Sequence, residues 1–162
     1  MSGLKQSFVT KLTDIDTSAK EPLGTLRFEG NKVYKYVMIE NHSAAVAGAV
    51  GAMCGYYAVT GYGNNRVVVD LSDADNPPMP AGALQAAFTG SIDTIYYGWI
   101  QIKGLATVDT AVTNGTAGAP CYLTATDKTL ARANEADSAA VYKAVAGLCM
   151  NTTTGVVLDC PW

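Results

Sequence analysis

The chain has 162 residues and a mass of 16.9 kDa, enough for one domain that buries roughly 70% of its unfolded surface without a disulfide or a metal. Charged residues make up only 15% of the sequence, against roughly 25% in an average soluble chain. Part of the surface is therefore expected to be covered by other protein. The net charge is −3 and Lys and Arg do not cluster, which argues against a nucleic-acid partner.

Residues 1–22, "MSGLKQSFVTKLTDIDTSAKEP", are polar and weakly periodic, and they predict an extended N-terminal arm. The start of the arm has no apolar run suited to a signal peptide, and no segment of the chain reaches membrane-spanning length. We therefore expect synthesis in the cytoplasm and no membrane partner. We also expect the arm to become ordered only against a partner.

A β-hairpin is predicted directly after the arm, in "GTLRFEGNKVYKYVMIE". Gly30-Asn31 supplies a two-residue turn, because a positive φ is cheap for both residue types. Folding the chain there places Phe28 opposite Val33. One residue further from the turn, Arg27 lies opposite Tyr34.

The second strand of this hairpin carries apolar residues on both faces. One face has Val33, Val37 and Ile39, interrupted by Lys35, and the other has Tyr34, Tyr36 and Met38. A strand with two apolar faces is expected to be buried on both sides. The core covers one face, and a second element or a partner must cover the other.

The middle of the chain also favours strands and turns. In residues 43–63, Gly48, Gly51 and Gly55 weaken a helix by roughly 1 kcal/mol each relative to Ala, and "NRVVVDL" (65–71) is typical of a strand. The segment "SDADNPPMPAG" (72–82) predicts a proline-rich surface loop.

The segment "YYGWIQIKG" (96–104) predicts a strand with Ile100 and Ile102 inward and Gly98 in line with them. Its other face mixes aromatic with polar residues, although a solvent face should be polar. Tyr and Trp are enriched at protein interfaces, so Trp99 is interpreted as facing a neighbouring subunit. The predicted interface residues are Tyr34, Tyr36, Tyr97, Trp99, Gln101 and Lys103.

Two more hairpins are predicted in the last third of the chain, one around Asp127-Lys128 and one around "NTTTG" (151–155). Residues 135–145 have helical propensity, but the alternation of Val141, Lys143 and Val145 favours a strand. The expected fold is all-β: a small antiparallel β-barrel or sandwich of short strands, spanning residues 23–162 as a single domain after the arm.

The sequence predicts no catalytic residue, metal site or cofactor, and hence no enzyme. His42 lacks an orienting partner and a nucleophile, and is interpreted as a surface turn residue. Asp70, Asp73 and Asp75 lack the glycine and the later Glu of a calcium loop. The cysteines form no closely spaced pair suited to zinc, and they are predicted to be buried free thiols: Cys54, Cys121, Cys149 and Cys160.

The order of "GTLRFEGNKVYKYV", a Gly/Ala-rich middle, "YYGWIQIKG" and "AVAGLCMNTTTGVVLDC" resembles the capsid decoration (cement) proteins of tailed bacteriophages, over residues 24–160. The resemblance implies a small β-barrel protein that forms homo-oligomers, commonly trimers. It implies binding to the outer surface of the phage head, where such proteins bridge neighbouring major capsid protein subunits. The expected location is the virion, after assembly in the host cytoplasm. The loop at 72–80 is not part of this pattern.

Three alternatives remain open at this point. One is another virion β-module, such as a tail or fibre component. A second is a small oligomeric metal-dependent hydrolase using Asp70, Asp73 or Asp75. A third is a carbohydrate-binding module that stacks sugars on Tyr97 and Trp99, which requires both rings to be exposed.

Overall fold

The computed structural model describes residues 7–41, 44–57, 65–72, 79–133, 145–150 and 153–160. These residues form strands and turns without any helix, which confirms the all-β prediction. The described part of the chain therefore contains no helix that could cross a membrane. The strands are β1 (Ile15–Asp16), β2 (Leu26–Glu29), β3 (Lys32–Glu40), β4 (Met53–Tyr56), β5 (Arg66–Val68), β6 (Met79–Leu84), β7 (Tyr96–Thr107), β8 (Pro120–Leu123), β9 (Leu130–Arg132), β10 (Val145–Cys149) and β11 (Gly155–Asp159).

Five strands close into a barrel in the order β3-β5-β4-β6-β7, because β7 pairs with β6 and also returns to β3. The closing ladder between β3 and β7 is antiparallel and runs from Ile39 opposite Tyr96 to Val33 opposite Lys103. The pairing of β3 with β5 is parallel. The fold class expected from the sequence is thus confirmed, with a closed barrel at its centre.

Strand β7 is long enough to belong to two parts of the sheet. Its first half completes the barrel, and its second half pairs with β11, which continues the sheet through β10 and β8 to β9. The short strand β1 adds to β7 near its start, with Ile15 opposite Gly98. A Cβ on Gly98 would lie 2.8 Å from Ile15 Cδ1, so the small residue allows the arm to approach.

Several local predictions agree with the structure. Ile100 and Ile102 are fully buried in the main core. The first hairpin has the expected register, with Phe28 opposite Val33. The two later hairpins, β8–β9 and β10–β11, are also formed as predicted. Residues 134–144, which hold most of the ambiguous segment 135–145, lie outside the described residues.

The predicted loop at 72–82 needs a correction. Met79 to Gly82 belong to β6, and Pro80 is buried there opposite Gly55. The register between β4 and β6 shifts between Cys54 and Gly55, and such an irregularity is where a sheet tolerates a proline. Residues 73–78 lie outside the described residues.

The expectation that the arm orders only against a partner is also corrected for its described part. Residues 7–22 lie against their own chain: Ile15 and Asp16 pair with β7, while Phe8 and Leu12 pack on a small aromatic cluster. The strand β1 nevertheless stands outside the closed ring of five, so the arm remains an addition to the barrel.

Candidate interaction surface

The aromatic residues assigned to an interface form a second core cluster, separate from the barrel interior. Tyr34, Tyr36 and Trp99 are at most 5% exposed. The ring centroids of Tyr36 and Trp99 lie 5.2 Å apart with the planes inclined by 65°, the edge-to-face packing that aromatic pairs prefer. Phe8 from the arm meets Trp99 in a second edge contact at 5.5 Å. Burial raises the pKa of the Tyr36 hydroxyl.

Hydrogen bonds fix the arm over this cluster. The indole N–H of Trp99 donates to the Thr10 hydroxyl over 2.9 Å. A carboxylate oxygen of Glu21 accepts from the backbone N–H of Val9 at 2.6 Å and of Thr10 at 3.2 Å. The Tyr36 hydroxyl accepts from the backbone N–H of Lys20 at 3.2 Å. The arm therefore supplies both the apolar cover and the polar partners of the buried rings.

The assignment of Trp99 to an exposed interface is thereby corrected. The second cover predicted for β3 exists, but it is the chain's own arm. Tyr97 is half-buried beside the same cluster. With Trp99 only 1% exposed, the ring cannot serve as a stacking platform, which contradicts the carbohydrate-binding alternative.

The two polar residues of the predicted interface have different environments. Gln101 is buried, and its amide nitrogen donates to the carbonyls of Lys103, Gly104 and Leu105 at 3.0–3.2 Å. It therefore stabilises the backbone around Gly104, where φ is positive and β7 leaves the barrel. Lys103 is exposed, and its ammonium lies 3.1 Å from a carboxylate oxygen of Asp159. Of the six predicted residues, Lys103 is exposed, Tyr97 is half-buried and the other four are buried.

A different surface carries exposed apolar residues. On the face of the sheet beyond the barrel, four residues lie directly opposite one another on successive strands. Leu105 pairs with Val157, Val157 with Leu148, and Leu148 with Pro120. Leu105 and Leu148 are 49% and 48% exposed, Val157 is half-buried and Pro120 is exposed. We call this set of Leu105, Val157, Leu148 and Pro120 the outer row.

An irregularity in β10 widens the outer row. In a regular strand Val145 and Leu148 would point to opposite faces, because side chains alternate. The register of β10 against β8 shifts between Val145 and Gly147, and both Val145 and Leu148 are half-exposed while Ala146 and Cys149 are buried. Both side chains line one shallow depression with Leu105 and Val157.

The sequence held a partial signal for this surface. In "GVVLD" Val157 stands between Val156 and Leu158, which are both buried, so alternation leaves an apolar side chain facing outward. The contribution of Val145 could not be anticipated, because the shift in β10 depends on its pairing with β8. The frequency of aromatic residues, by contrast, led to an interface prediction for residues that the arm covers.

Of the three carboxylates proposed for a metal site, the structure describes only Asp70. Asp70 is buried, where one oxygen accepts from the backbone N–H of Ala44 at 2.8 Å and the other from the Ser72 hydroxyl at 3.2 Å. No group of three or more His, Cys, Asp or Glu side chains in the described part of the chain could hold a metal ion. Asp73, Asp75 and His42 lie outside the described residues.

The prediction of buried free thiols is confirmed. All four cysteines are buried and none forms a disulfide. Burial is the largest cause that raises the pKa of Cys121 and of Cys160, each to about 12. Burial also raises the pKa of Cys54. The thiols of Cys54, Cys121 and Cys160 are therefore held in the protonated, unreactive form.

A comparison of the chain with protein-family models, with curated proteins and with solved structures finds no match. The function must therefore be inferred from the residues of this chain alone.

Proposed function

We propose that the chain is a structural protein of a tailed bacteriophage, a capsid decoration protein that binds the outer surface of the head as a homo-oligomer. In this role it bridges neighbouring major capsid protein subunits and stabilises the shell. The order of segments in the sequence supports the proposal through its resemblance to such proteins, which implies a trimer and a location on the virion. The function requires no catalytic residue and no cofactor.

The outer row is the observation that carries the proposal. Single exposed apolar residues are ordinary on any protein, but a contiguous apolar patch marks a surface that binds another protein. Here Leu105, Leu148 and Val145 are each about half exposed. Cross-strand pairing joins Leu105 and Leu148 to Val157, and Val145 lines the same depression. The low charge of the chain, 15%, is consistent with a surface that is partly covered in use.

The test is binding to empty shells assembled from the major capsid protein of the same phage. We expect the purified chain to sediment with these shells up to a fixed number of copies per shell, and to raise the temperature at which the shells disassemble. Shells of an unrelated capsid protein are the control and should leave the chain in the supernatant. Failure to bind the cognate shells at any concentration would contradict the proposed function.

A further inference from the structure

We propose that Cys121 and Cys149 form a disulfide bond in an oxidising medium, and that this bond locks β8 to β10 on the buried side of the outer row. The lock is open in the reducing cytoplasm where the chain is made and closes after the phage leaves its host. Only this timing rests on the proposed function, because the bond itself can form in the isolated chain.

The two cysteines lie on neighbouring strands and point to the same buried face of the sheet. Cys121 pairs with Gly147, and residues two apart on a strand share a face, so Cys149 faces the core beside Cys121. The backbone N–H of Cys149 donates to the carbonyl of Ala119 at 2.9 Å, which continues the ladder to this level. The thiols of Cys121 and Cys149 lie within hydrogen-bond distance of each other.

The position of the pair requires only a small movement for the bond to form. Cys121 and Cys149 are diagonal neighbours, whose Cα atoms are typically about 7–8 Å apart, close to the upper limit of about 7 Å for a disulfide. The ladder between β10 and β8 is already irregular between Val145 and Gly147, so these strands can shift slightly against each other.

The other two cysteines have different partners. The thiol of Cys160 donates to the carbonyl of Ala146 at 3.5 Å, and the thiol of Cys54 donates to the carbonyl of Ala52 at 3.8 Å. These two residues therefore provide internal controls for the specificity of the bond.

Oxidation requires a local opening, because both thiols are buried. Strands β8 and β9 end the sheet, and an edge hairpin opens at a lower free energy than the whole domain. Opening admits water, which returns the pKa of Cys121 towards its ordinary value and allows a thiolate to form. The lock should consequently close slowly, in agreement with an unreactive Cys121 in the closed fold.

A small disulfide such as oxidised glutathione is the oxidant. The thiolate of one cysteine attacks a sulfur of this disulfide and displaces one glutathione thiolate. The second cysteine then attacks the mixed disulfide and displaces the other glutathione. The two cysteines lose two electrons and two protons, and both are recovered in two molecules of reduced glutathione.

The bond would act directly on the outer row. Cys121 follows Pro120 and Cys149 follows Leu148, so it fixes the two strands that present these two members of the row. It also shortens the free chain in the unfolded state. We expect the oxidised chain to melt about 5 °C or more above the reduced chain.

The test incubates the folded, full-length chain with oxidised glutathione and removes samples over time. Counting free thiols after denaturation should show the loss of two of the four thiols. Mass spectrometry of the digested protein should find the peptide of Cys121 linked to that of Cys149. Cys160→Ala should form the same link at a similar rate, whereas Cys149→Ala should form none.

The outcomes separate the lock from the proposed function. Retention of all four thiols in the wild-type chain would overturn the lock, as would a link through Cys54 or Cys160 or a glutathione left on a single cysteine. The wild-type result is sufficient even where an alanine variant folds poorly. Shell binding is measured separately on the reduced chain, so the loss of either proposal leaves the other intact.

Discussion

The indole N–H of Trp99 and the hydroxyl of Thr10 form a 2.9 Å hydrogen bond between residues 89 positions apart. Both residues are buried, at 1% and 6% exposure. Without the arm, Trp99 would lose the hydroxyl that satisfies its N–H and the ring of Phe8 that covers it. The arm is therefore a structural part of the fold in the isolated chain.

The first prediction concerns the hydroxyl of Thr10. Thr10→Val keeps the shape of the side chain but leaves the indole N–H buried without its acceptor, which should lower the free energy of unfolding by about 1–3 kcal/mol. Urea unfolding followed by circular dichroism measures the change. Thr10→Ser retains the hydroxyl, so its free energy of unfolding should fall clearly less than that of Thr10→Val. Equal losses in the two variants would show that the hydrogen bond does not contribute.

The second prediction concerns the arm as a whole. Deleting residues 1–16 should expose Trp99 to water and lower the free energy of unfolding by about 3 kcal/mol or more, because the apolar cover from Phe8 and Leu12 is lost. The barrel should still form, since β1 is not one of its five strands. In a Trp162→Phe background, the fluorescence of Trp99 should shift to longer wavelength.

Deleting only residues 1–6 is the matched control for the arm. This variant keeps Phe8, Thr10 and Leu12, so the emission of Trp99 and the unfolding free energy should stay at the values of the full chain. An emission spectrum that is unchanged after removal of residues 1–16 would contradict the arrangement described for the arm.

The third prediction concerns Gly104, where β7 approaches the first hairpin turn. Gly104 has a φ of +91°, and a Cβ there would lie 2.6 Å from the backbone oxygen of Asn31. Gly30 also has a positive φ, of +60°, but nothing lies within 4 Å of its Cβ position. Gly30→Ala should cost about 1 kcal/mol of stability for the backbone conformation alone. Gly104→Ala should cost at least about 1 kcal/mol more, because the backbone must also shift.

Thermal melts of both alanine variants measure this difference. If Gly104→Ala were no more destabilising than Gly30→Ala, the close approach of β7 to the first hairpin turn would not constrain the fold.

The fourth prediction concerns stability in alkali. The pKa of Cys121 and of Cys160 is raised to about 12 in the folded chain, whereas an unfolded thiol has a pKa of about 8.5. Below about pH 8 both states hold the proton, and the free energy of unfolding does not depend on these groups. At higher pH the unfolded chain releases protons that the folded chain keeps. Stability should therefore fall by up to about 1.4 kcal/mol per pH unit for each thiol.

Urea unfolding between about pH 8 and about pH 10, in the presence of a reductant, measures this slope. In Cys160→Ala the free energy of unfolding should fall less steeply with pH, because one of the titrating thiols is absent. The buried ammonium of Lys35, whose pKa burial lowers, acts in the opposite direction but equally in both proteins. Identical slopes for the variant and the original chain would contradict the prediction.

The sequence predicted the structure correctly where residues close together along the chain determine it. Gly30-Asn31 dictates a tight turn, so the register of β2 with β3 could be predicted residue by residue. Alternation placed Ile100 and Ile102 correctly because a strand half-buried in a core must direct its apolar side chains inward.

Prediction was limited where distant segments decide the environment. An aromatic face on β7 is equally compatible with a partner subunit and with cover by the same chain, and only the position of Phe8 and Thr10 distinguishes them. The burial of Pro80 depends on the irregular pairing of β4 with β6. The outward position of Val145 depends in the same way on β8, so alternation along the sequence indicated Val157 but not Val145.

The closure of the barrel by β7 has a consequence for how the protein is made. Strand β3 ends at Glu40 and its barrel partner β7 begins only at Tyr96. At about 5–20 residues per second, the ribosome delivers β7 on the order of several seconds after β3. During that interval the apolar faces and the free edge of β3 are accessible to other nascent chains. The earliest barrel strand to be synthesised thus relies on a strand from the second half of the chain to escape aggregation.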